Sequence, residues 1–453
     1  MGKEETAVVV LAAGKGTRMK SARSKVLHQV AGRSLLGHVL DTATAIGPDR
    51  IVVVVGPDMG DVEAAAAPHA VEQQPEQLGT ADAVKAARAP LSDFNMGTIL
   101  VLYGDTPFIG VETLEDMLAE RERGAGIVVL GFRPVDPAAY GRLITDDAGR
   151  LQRIVEFKDA SEAERAVTLC NSGVLAIDAA VLFRLIDAVG NDNAKGEYYL
   201  TDIVGLARAD NIDCSVVEAD ADELQGVNSR ADLAEAESFW QARRRRQVMD
   251  DGVTLSDPST VYFSHDTQFE PDVLVGPNVV FGPGVTVGQE AEIKAFCHLE
   301  GVKIGAAAAV GPFARLRPGA VLEPGVKIGN FVEVKNAVLG EGAKASHLSY
   351  IGDAEVGPEA NIGAGTITCN YDGYFKHRTT IGAAAFIGSN TALVAPVSVG
   401  EGAIVGAGSV ITVDVSKDAL ALGRGRQANK EGRGGEINAE LAAKKAQAKK
   451  GQN

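Results

Sequence analysis

An aliphatic or aromatic residue recurs at every sixth position through the second half of this chain, and few folds can satisfy that spacing. Phe263, Phe269, Val275, Phe281, Val287, Ile293 and Leu299 keep the period without a slip. One residue is dropped, and Ile304, Val310, Leu316, Leu322, Ile328 and Val334 resume it. After further slips Ile351, Val356 and Ile362 lead to a last run of Ile381, Ile387, Leu393, Val399, Val405 and Ile411. A period of six matches neither the 3.6-residue turn of a helix nor the two-residue alternation of a strand. It predicts a parallel β-helix, in which each hexapeptide supplies one short strand and a turn and points one apolar side chain into a narrow prism. With three hexapeptides to a coil, the array holds about nine coils. Glycines follow the inward residues at Gly276, Gly329 and Gly400, where a Cβ would crowd the corner. A flexible glycine-rich linker would not keep aliphatic residues in register for so long.

Residues 1–226 read differently. Val8–Ala13, Ile51–Val55, Thr98–Leu102 and Gly126–Leu130 are short apolar runs separated by helix-forming stretches. Buried parallel strands look like this, and the alternation predicts a doubly wound, Rossmann-like α/β domain. Residues 227–250 form a linker in which Ser229 and Asp232 resemble a capping box opening a helix from about 229 to 249, with Leu233, Ala236 and Trp240 as its apolar stripe. Arg243–Arg246 read as a solvated helix end, where cations suit the C-terminal dipole, in preference to a phosphate or RNA site. The β-helix occupies 251–424. The basic 425–453 tail has almost no large apolar residue and reads as mobile. The formal net charge of -16 argues against a nucleic-acid binder or a protein held to anionic membranes. No apolar run is long enough to span a bilayer, and the charged start has no signal-peptide core. Four cysteines without metal-ligand or disulfide-framework spacing fit a reducing cytoplasm.

The first strand ends in Leu11-Ala12-Ala13-Gly14-Lys15-Gly16-Thr17-Arg18, a glycine-rich turn placed where phosphates can approach backbone N–H groups. Lys25 follows, then Gln74–Thr80, Tyr103-Gly104-Asp105, Tyr140-Gly141-Arg142, Glu156, Asn171-Ser172-Gly173, Gly196–Asp202 and Gly226-Val227-Asn228. In this order the motifs resemble the sugar-1-phosphate nucleotidyltransferases across the whole first half. The residue types suit that chemistry, because a sugar phosphate attacking the α-phosphorus of a nucleoside triphosphate brings two anions together and needs fixed cations and Mg²⁺. Asp105, just beyond a buried strand, is a hard oxygen ligand for Mg²⁺, and the resemblance adds Asn228 as its partner. Arg18 and Lys25 would hold phosphates. The resemblance implies that Leu11, Ala12, Ala13, Gly14 and Lys25 line the nucleotide site and that Gln74, Gly79 and Thr80 read the uracil. It places Tyr103, Gly141, Glu156, Asn171 and Asn228 on the sugar phosphate.

The hexapeptide period breaks near Thr368, where a polar and aromatic stretch, Cys369–Arg378, is inserted. It adds nothing to a prism interior, and projecting outward it could close a site between neighbouring chains. Together with Arg315–Gly319, Glu333-Val334-Lys335, His347–Tyr350 and Asn361–Thr366, it resembles the acetyltransferase half of the bacterial bifunctional enzymes that make UDP-N-acetylglucosamine. The match then covers nearly the whole chain except the tail, and it implies left-handed winding. Such enzymes acetylate glucosamine-1-phosphate with acetyl-CoA and then join the N-acetylglucosamine-1-phosphate to UMP from UTP. Acetylating an amine requires a group that removes a proton, and neutral imidazole suits that task. The resemblance points to His347 as general base, not His377, with Glu333 orienting the ring. It places Arg317, Lys335, Tyr350, Asn361 and Lys376 on the sugar phosphate, and Ala364, Asn370, Tyr371, Ser389, Ala407 and Arg424 near acetyl-CoA. The Ala364 N–H would serve as oxyanion donor. Family members are homotrimers that build each acetyl-transfer site from more than one chain. One departure stands out: Ala81-Asp82 follows Gly79-Thr80 where the family commonly has Gly-His, which puts the packing of the base pocket in question. Two other readings remain, a β-helix serving only oligomerisation or regulation, and a nucleotide-sugar sensor without turnover.

Overall fold

The computed structural model describes residues 4–137, 140–193 and 195–450. The chain divides into two compact units, Met1–Val248 with Tyr262–His265, and Met249–Val261 with Asp266–Asn453.

The first unit is built on a mixed sheet. Its main path runs Cys214–Glu218, Ile127–Phe132, Cys170–Asp178, Thr98–Tyr103, Thr6–Leu11, Arg50–Val55, Ala70–Gln73. The four apolar runs seen in the sequence are all strands of this sheet. Thr6–Leu11 lies parallel between Arg50–Val55 and Thr98–Tyr103. The departure from an all-parallel sheet is Cys170–Asp178, which pairs antiparallel with both of its neighbours on the path. Strand alternation divides the apolar residues between two faces: Val9 and Leu11 belong to one core cluster, Val8, Val10 and Ala12 to the other. All of these are buried, and each fully buried aliphatic side chain contributes about 1.5–3 kcal/mol. Strand order reverses beside Thr6–Leu11, and its C-terminal end is where an open α/β sheet leaves a crevice for ligands.

Helix Arg230–Asp250 opens on a reciprocal cap. The Asp232 carboxylate accepts from the Ser229 N–H at 3.0 Å, and the Ser229 hydroxyl accepts from the Asp232 N–H at 3.2 Å. Ala236, with Leu233, Phe239 and Trp240, packs this helix against Val30, Leu35, Phe108 and Val227. The helix runs on past Arg243–Arg246, and no basic residue occupies its last turn. The dipole explanation for that arginine run therefore fails. Arg244 instead donates to Gln247 at 2.9 Å, and Arg245 lies over the Tyr262 ring at 5.2 Å.

In the second unit, short parallel strands stack in ladders. One face carries ten strands, from Thr254–Leu255 to Leu420–Ala421. Leu274 faces Glu292 and Val275 faces Ile293, eighteen residues on, so three hexapeptides make one coil. The arrangement is that of a parallel β-helix, consistent with the left-handed winding of hexapeptide proteins. Inward residues such as Val275, Ile328, Val399 and Ile411 are buried. A Cβ on Gly329 would stand 1.8 Å from the Ser346 carbonyl oxygen, so only glycine fits that corner. Phe263, first in the sequence count, carries no strand and belongs to the first unit, where its backbone bonds the Gln241 amide at 2.7 and 2.9 Å.

The inserted stretch shows in the register. Tyr350 faces Ile367, seventeen residues on, whereas Ala354 faces Thr379, twenty-five on. The excess leaves the coil as a loop closed by an antiparallel bridge between Tyr371 and Lys376. The tail expected to be mobile carries an exposed helix, Arg433–Lys450. The lack of large apolar residues leaves it nothing to bury, but its alanines, lysines and glutamates are strong helix formers. No helix among the described residues is long and apolar enough to cross a membrane.

Candidate active sites

In the first unit the turn after Thr6–Leu11 and the loop after Thr98–Tyr103 meet at the crevice, since Leu11 and Tyr103 are register partners and the Gly104 N–H donates to the Leu11 carbonyl at 3.0 Å. A cavity of about 460 Å³ opens there, and Leu11, Ala12, Ala13, Gly14, Lys25, Gln74, Gly79, Thr80, Tyr103 and Asp105 all line it. The Lys25 ammonium pairs with the Asp105 carboxylate and donates to the Asn228 Oδ1 at 3.0 Å. Arg18 donates to the same Asn228 oxygen at 2.8 Å. Residues two hundred positions apart thus converge as two cations and two hard oxygens. The two oxygens suit a divalent cation that completes its shell with phosphate oxygens and water. Among the described residues, no cluster of three or more His, Cys, Asp or Glu could cage a metal alone.

The Leu78–Ala81 loop is clamped by the segment that carries Tyr198 and Leu200. Tyr198 N–H donates to the Leu78 carbonyl at 2.8 Å, Ala81 N–H to the Tyr198 carbonyl at 3.0 Å, and Leu200 N–H to the Thr80 hydroxyl at 2.9 Å. Gly79 has φ of +130°, and a Cβ there would stand 2.5 Å from the Tyr198 carbonyl oxygen. Gly79→Ala should therefore raise the KM for UTP by about tenfold or more, from about 1–3 kcal/mol of backbone strain. Initial rates over a UTP series check this, and an unchanged KM would mean that the loop does not shape the nucleotide site.

Gly141 and Asn171 are joined through the backbone, whereas Glu156 has its hydrogen-bond partner in Thr201. Asn171 N–H donates to the Gly141 carbonyl at 2.9 Å, and the Asn171 side-chain oxygen accepts from the Gly173 N–H at 3.0 Å. Burial pushes the Glu156 carboxyl above its usual range, against the pull of Lys195 and a hydrogen bond from Thr201. Burial likewise raises the Tyr103 phenol, with the carboxylates of Asp105 and Glu156 adding to the effect. Tyr103 is therefore a neutral hydrogen-bonding group at any physiological pH.

In the second unit the β-helix register sets His347 opposite Asn330. The His347 Nδ1 lies 2.7 Å from the Asn330 Oδ1. An amide oxygen only accepts, so in the neutral ring Nδ1 carries the proton and Nε2 the lone pair. Glu333, expected to orient the imidazole, makes its hydrogen bond and ion pairs with Arg317 and Arg315. Its register partners are Arg315 and Tyr350, and its carboxylate accepts from Arg317 at 2.9 Å. Sequence motifs did not reveal Asn330, because the contact crosses a whole coil.

Lys335 and Lys376 lie side by side, and the neighbouring ammonium of Lys335 pulls the Lys376 pKa down. Two such cations invite a phosphate. Behind them sits Asp353, a second residue that no motif pointed to. Burial alone would raise its carboxyl, but amide bonds from Asn336, at 2.6 Å, and Asn370, with the charges of Lys335 and Lys376, outweigh that and lower it. Asn370 also donates to the Tyr350 hydroxyl at 3.4 Å, so it joins the residues expected on the sugar phosphate. Asn361 lies on the strand Asn361–Ile362, whose register partners are Lys344 and Phe386. The inserted loop is braced by His377, whose Nε2 lies 2.7 Å from the Asp372 carboxylate and holds that carboxyl down at about 2. Tyr371 is exposed on this loop.

Ala364, Ser389, Ala407 and Arg424 follow one another up successive coils. Asn390 N–H donates to the Ala364 carbonyl at 2.7 Å, Gly408 N–H to the Ser389 carbonyl at 2.8 Å, and the Arg424 guanidinium to the Ala407 carbonyl at 2.6 Å. Gly365 N–H donates to the His347 carbonyl at 3.3 Å, which brings the adjacent Ala364 peptide beside the histidine.

Residues 8–167 match the model of the MobA-like NTP transferase domain, and residues 378–412 match that of the bacterial transferase hexapeptide with six repeats. Curated relatives extend the likeness over the full length. The chain is 57% identical to the bifunctional protein GlmU of Paramagnetospirillum magneticum, covering 98% of this chain and 99% of that one. It is 56% identical to the bifunctional protein GlmU of a Ruegeria species, covering 98% and 100%, and 58% identical to that of Maricaulis maris, covering 97% of each.

Proposed function

This chain belongs to the family of bifunctional GlmU proteins, and from that premise we propose that it catalyses both transfers leading to UDP-N-acetylglucosamine. The observation that carries this reading is the presence of a separate, chemically complete set of side chains in each unit. His347 with its oriented ring serves acetyl transfer, and Arg18, Lys25, Asp105 and Asn228 serve uridylyl transfer.

In the acetyl transfer, Lys335, Lys376 and Tyr350 hold the phosphate end of glucosamine-1-phosphate. His347 Nε2 takes a proton from the sugar amine as its nitrogen attacks the thioester carbonyl of acetyl-CoA. The C–N bond forms, the Ala364 N–H donates to the carbonyl oxygen as charge develops there, and the C–S bond breaks to release CoA. Ser389, Ala407 and Arg424 line the path of the CoA chain. In the uridylyl transfer, a phosphate oxygen of N-acetylglucosamine-1-phosphate bonds to the α-phosphorus of UTP and the bond to the β-phosphate breaks, releasing pyrophosphate. Arg18 and Lys25 offset the charge of the meeting anions, while Gln74, Gly79 and Thr80 hold the base. Asp105 and Asn228 would hold Mg²⁺, which supplies further charge neutralisation on the phosphates. A homotrimer in the cytoplasm is the assembly and location this reading carries.

The experiment that tests it is release of free CoA from acetyl-CoA, with and without glucosamine-1-phosphate, beside release of pyrophosphate from UTP and N-acetylglucosamine-1-phosphate. Both products are expected from one preparation. Pyrophosphate alone would reduce the β-helix to an oligomerising module, and neither product with tight nucleotide binding would make the protein a sensor. The role of Asn330 has its own outcome. Asn330→Asp places a negative charge against the imidazole and favours its protonated form. The acidic limb of the acetyl-transfer pH profile should move to higher pH, and at a fixed pH on that limb acetylation should fall about tenfold for every pH unit the limb moves. An unmoved limb would separate Asn330 from the base.

A further inference from the structure

Asp82 occupies the place in the base-side loop where the resemblance leads one to expect a histidine, and its carboxylate is spent inside the pocket wall. Gln74 is 4% exposed, and its side-chain Nε2 makes two hydrogen bonds, to the Gly79 carbonyl at 2.9 Å and to the Asp82 Oδ2 at 2.7 Å. The same carboxylate oxygen accepts from the Leu78 N–H at 3.2 Å. A carbonyl and a carboxylate have no proton to give, so only the nitrogen end of the Gln74 amide can face them. Turning the amide over would set its oxygen against two acceptors in a buried place, at the cost of both bonds. The amide oxygen accepts from no described residue, and Gln74 lines the cavity.

We propose that Asp82 is a positioning residue that sets base selectivity by locking the Gln74 amide with its oxygen toward the nucleobase. The inference rests on the reading of this cavity as the nucleotide site. Uracil presents an N3–H donor flanked by two carbonyls, and a fixed acceptor matches that donor. Cytosine in the same pose presents an unprotonated N3, and the fixed acceptor opposes its lone pair. Without the carboxylate, one of the two bonds holding the nitrogen end is lost. The amide can then turn and offer its N–H to cytosine.

The test compares kcat/KM for UTP and CTP with N-acetylglucosamine-1-phosphate in wild type, Asp82→Ala and Asp82→Asn. Asp82→Ala is expected to lower the UTP-to-CTP ratio by about tenfold or more, mainly through a gain with CTP, because the penalty against the wrong base is relieved. Asp82→Asn can still turn its amide oxygen to Gln74 Nε2, and its ratio should stay within about threefold of wild type. A merely structural role would lower both nucleotides together and leave the ratio unchanged, and that result would overturn the proposal. So would a ratio that fell equally in both variants. Because Asp82 and Gln74 lie in the first unit, its far-UV circular dichroism and thermal unfolding transition, compared with wild type, report folding of that unit independently. Wild type that turns over no UTP at all would instead remove the reading of the cavity on which the proposal rests.

Discussion

His347→Ala is expected to reduce acetyl transfer to glucosamine-1-phosphate by about 10²–10⁴-fold, the range a positioned general base contributes. The loss should fall on kcat, because the groups proposed to hold the phosphate, Lys335, Lys376 and Tyr350, are untouched by the change. Uridylyl transfer from UTP to supplied N-acetylglucosamine-1-phosphate should stay within about twofold, because its groups lie in a separate compact unit. Thiol release from acetyl-CoA and pyrophosphate release from UTP, read on one preparation, check both halves. Equal acetyl transfer by wild type and variant would reject His347 as the base while leaving the activity standing. Equal loss of both transfers in a folded variant would reject independent sites.

The mirror result is expected from Asp105→Ala. Removing this carboxylate deletes one of the two hard oxygens facing Lys25 and leaves that ammonium, among the described residues, with the Asn228 amide. Uridylyl transfer should fall about 100-fold or more, the cost of about 3 kcal/mol of lost charge stabilisation in the transition state. Acetyl transfer should be unchanged. The dependence of rate on Mg²⁺ concentration adds a second readout: a variant lacking a ligand should need more of the ion to reach its residual rate. Full activity at the same Mg²⁺ concentration would show that Asp105 neither holds the ion nor orders Lys25.

The His347–Asn330 contact also explains why a motif can point to a histidine and miss its partner. His347 stands out in sequence because its neighbours form a local pattern. Asn330 lies seventeen residues earlier and touches it only through the coil-to-coil register. Glu333 is the natural candidate for that task by charge, yet a turn separates it from Asn330: Asn330 ends the strand Lys327–Asn330, whereas Glu333 opens Glu333–Leu339 in another ladder. Its carboxylate turns to Arg317 instead.

Features that rest on short-range repetition were legible in the chain before any packing was known. Hexapeptide spacing dictated the β-helix, because each inward aliphatic residue repeats one local rule, and the inserted Cys369–Arg378 stretch announced itself as a break in that rule. The apolar runs Val8–Ala13 and Thr98–Leu102 likewise marked buried parallel strands, and the glycine turn after the first of them marked a place where phosphates can approach. Long-range packing was needed to establish the antiparallel strand Cys170–Asp178, the partnership of His347 with Asn330, the burial of Asp353 between two amides and the lock of Asp82 on Gln74. Each depends on which distant backbone segments share a register or face one cavity. A buried polar group takes whatever partner that packing brings within hydrogen-bond reach, and no local sequence pattern encodes the choice.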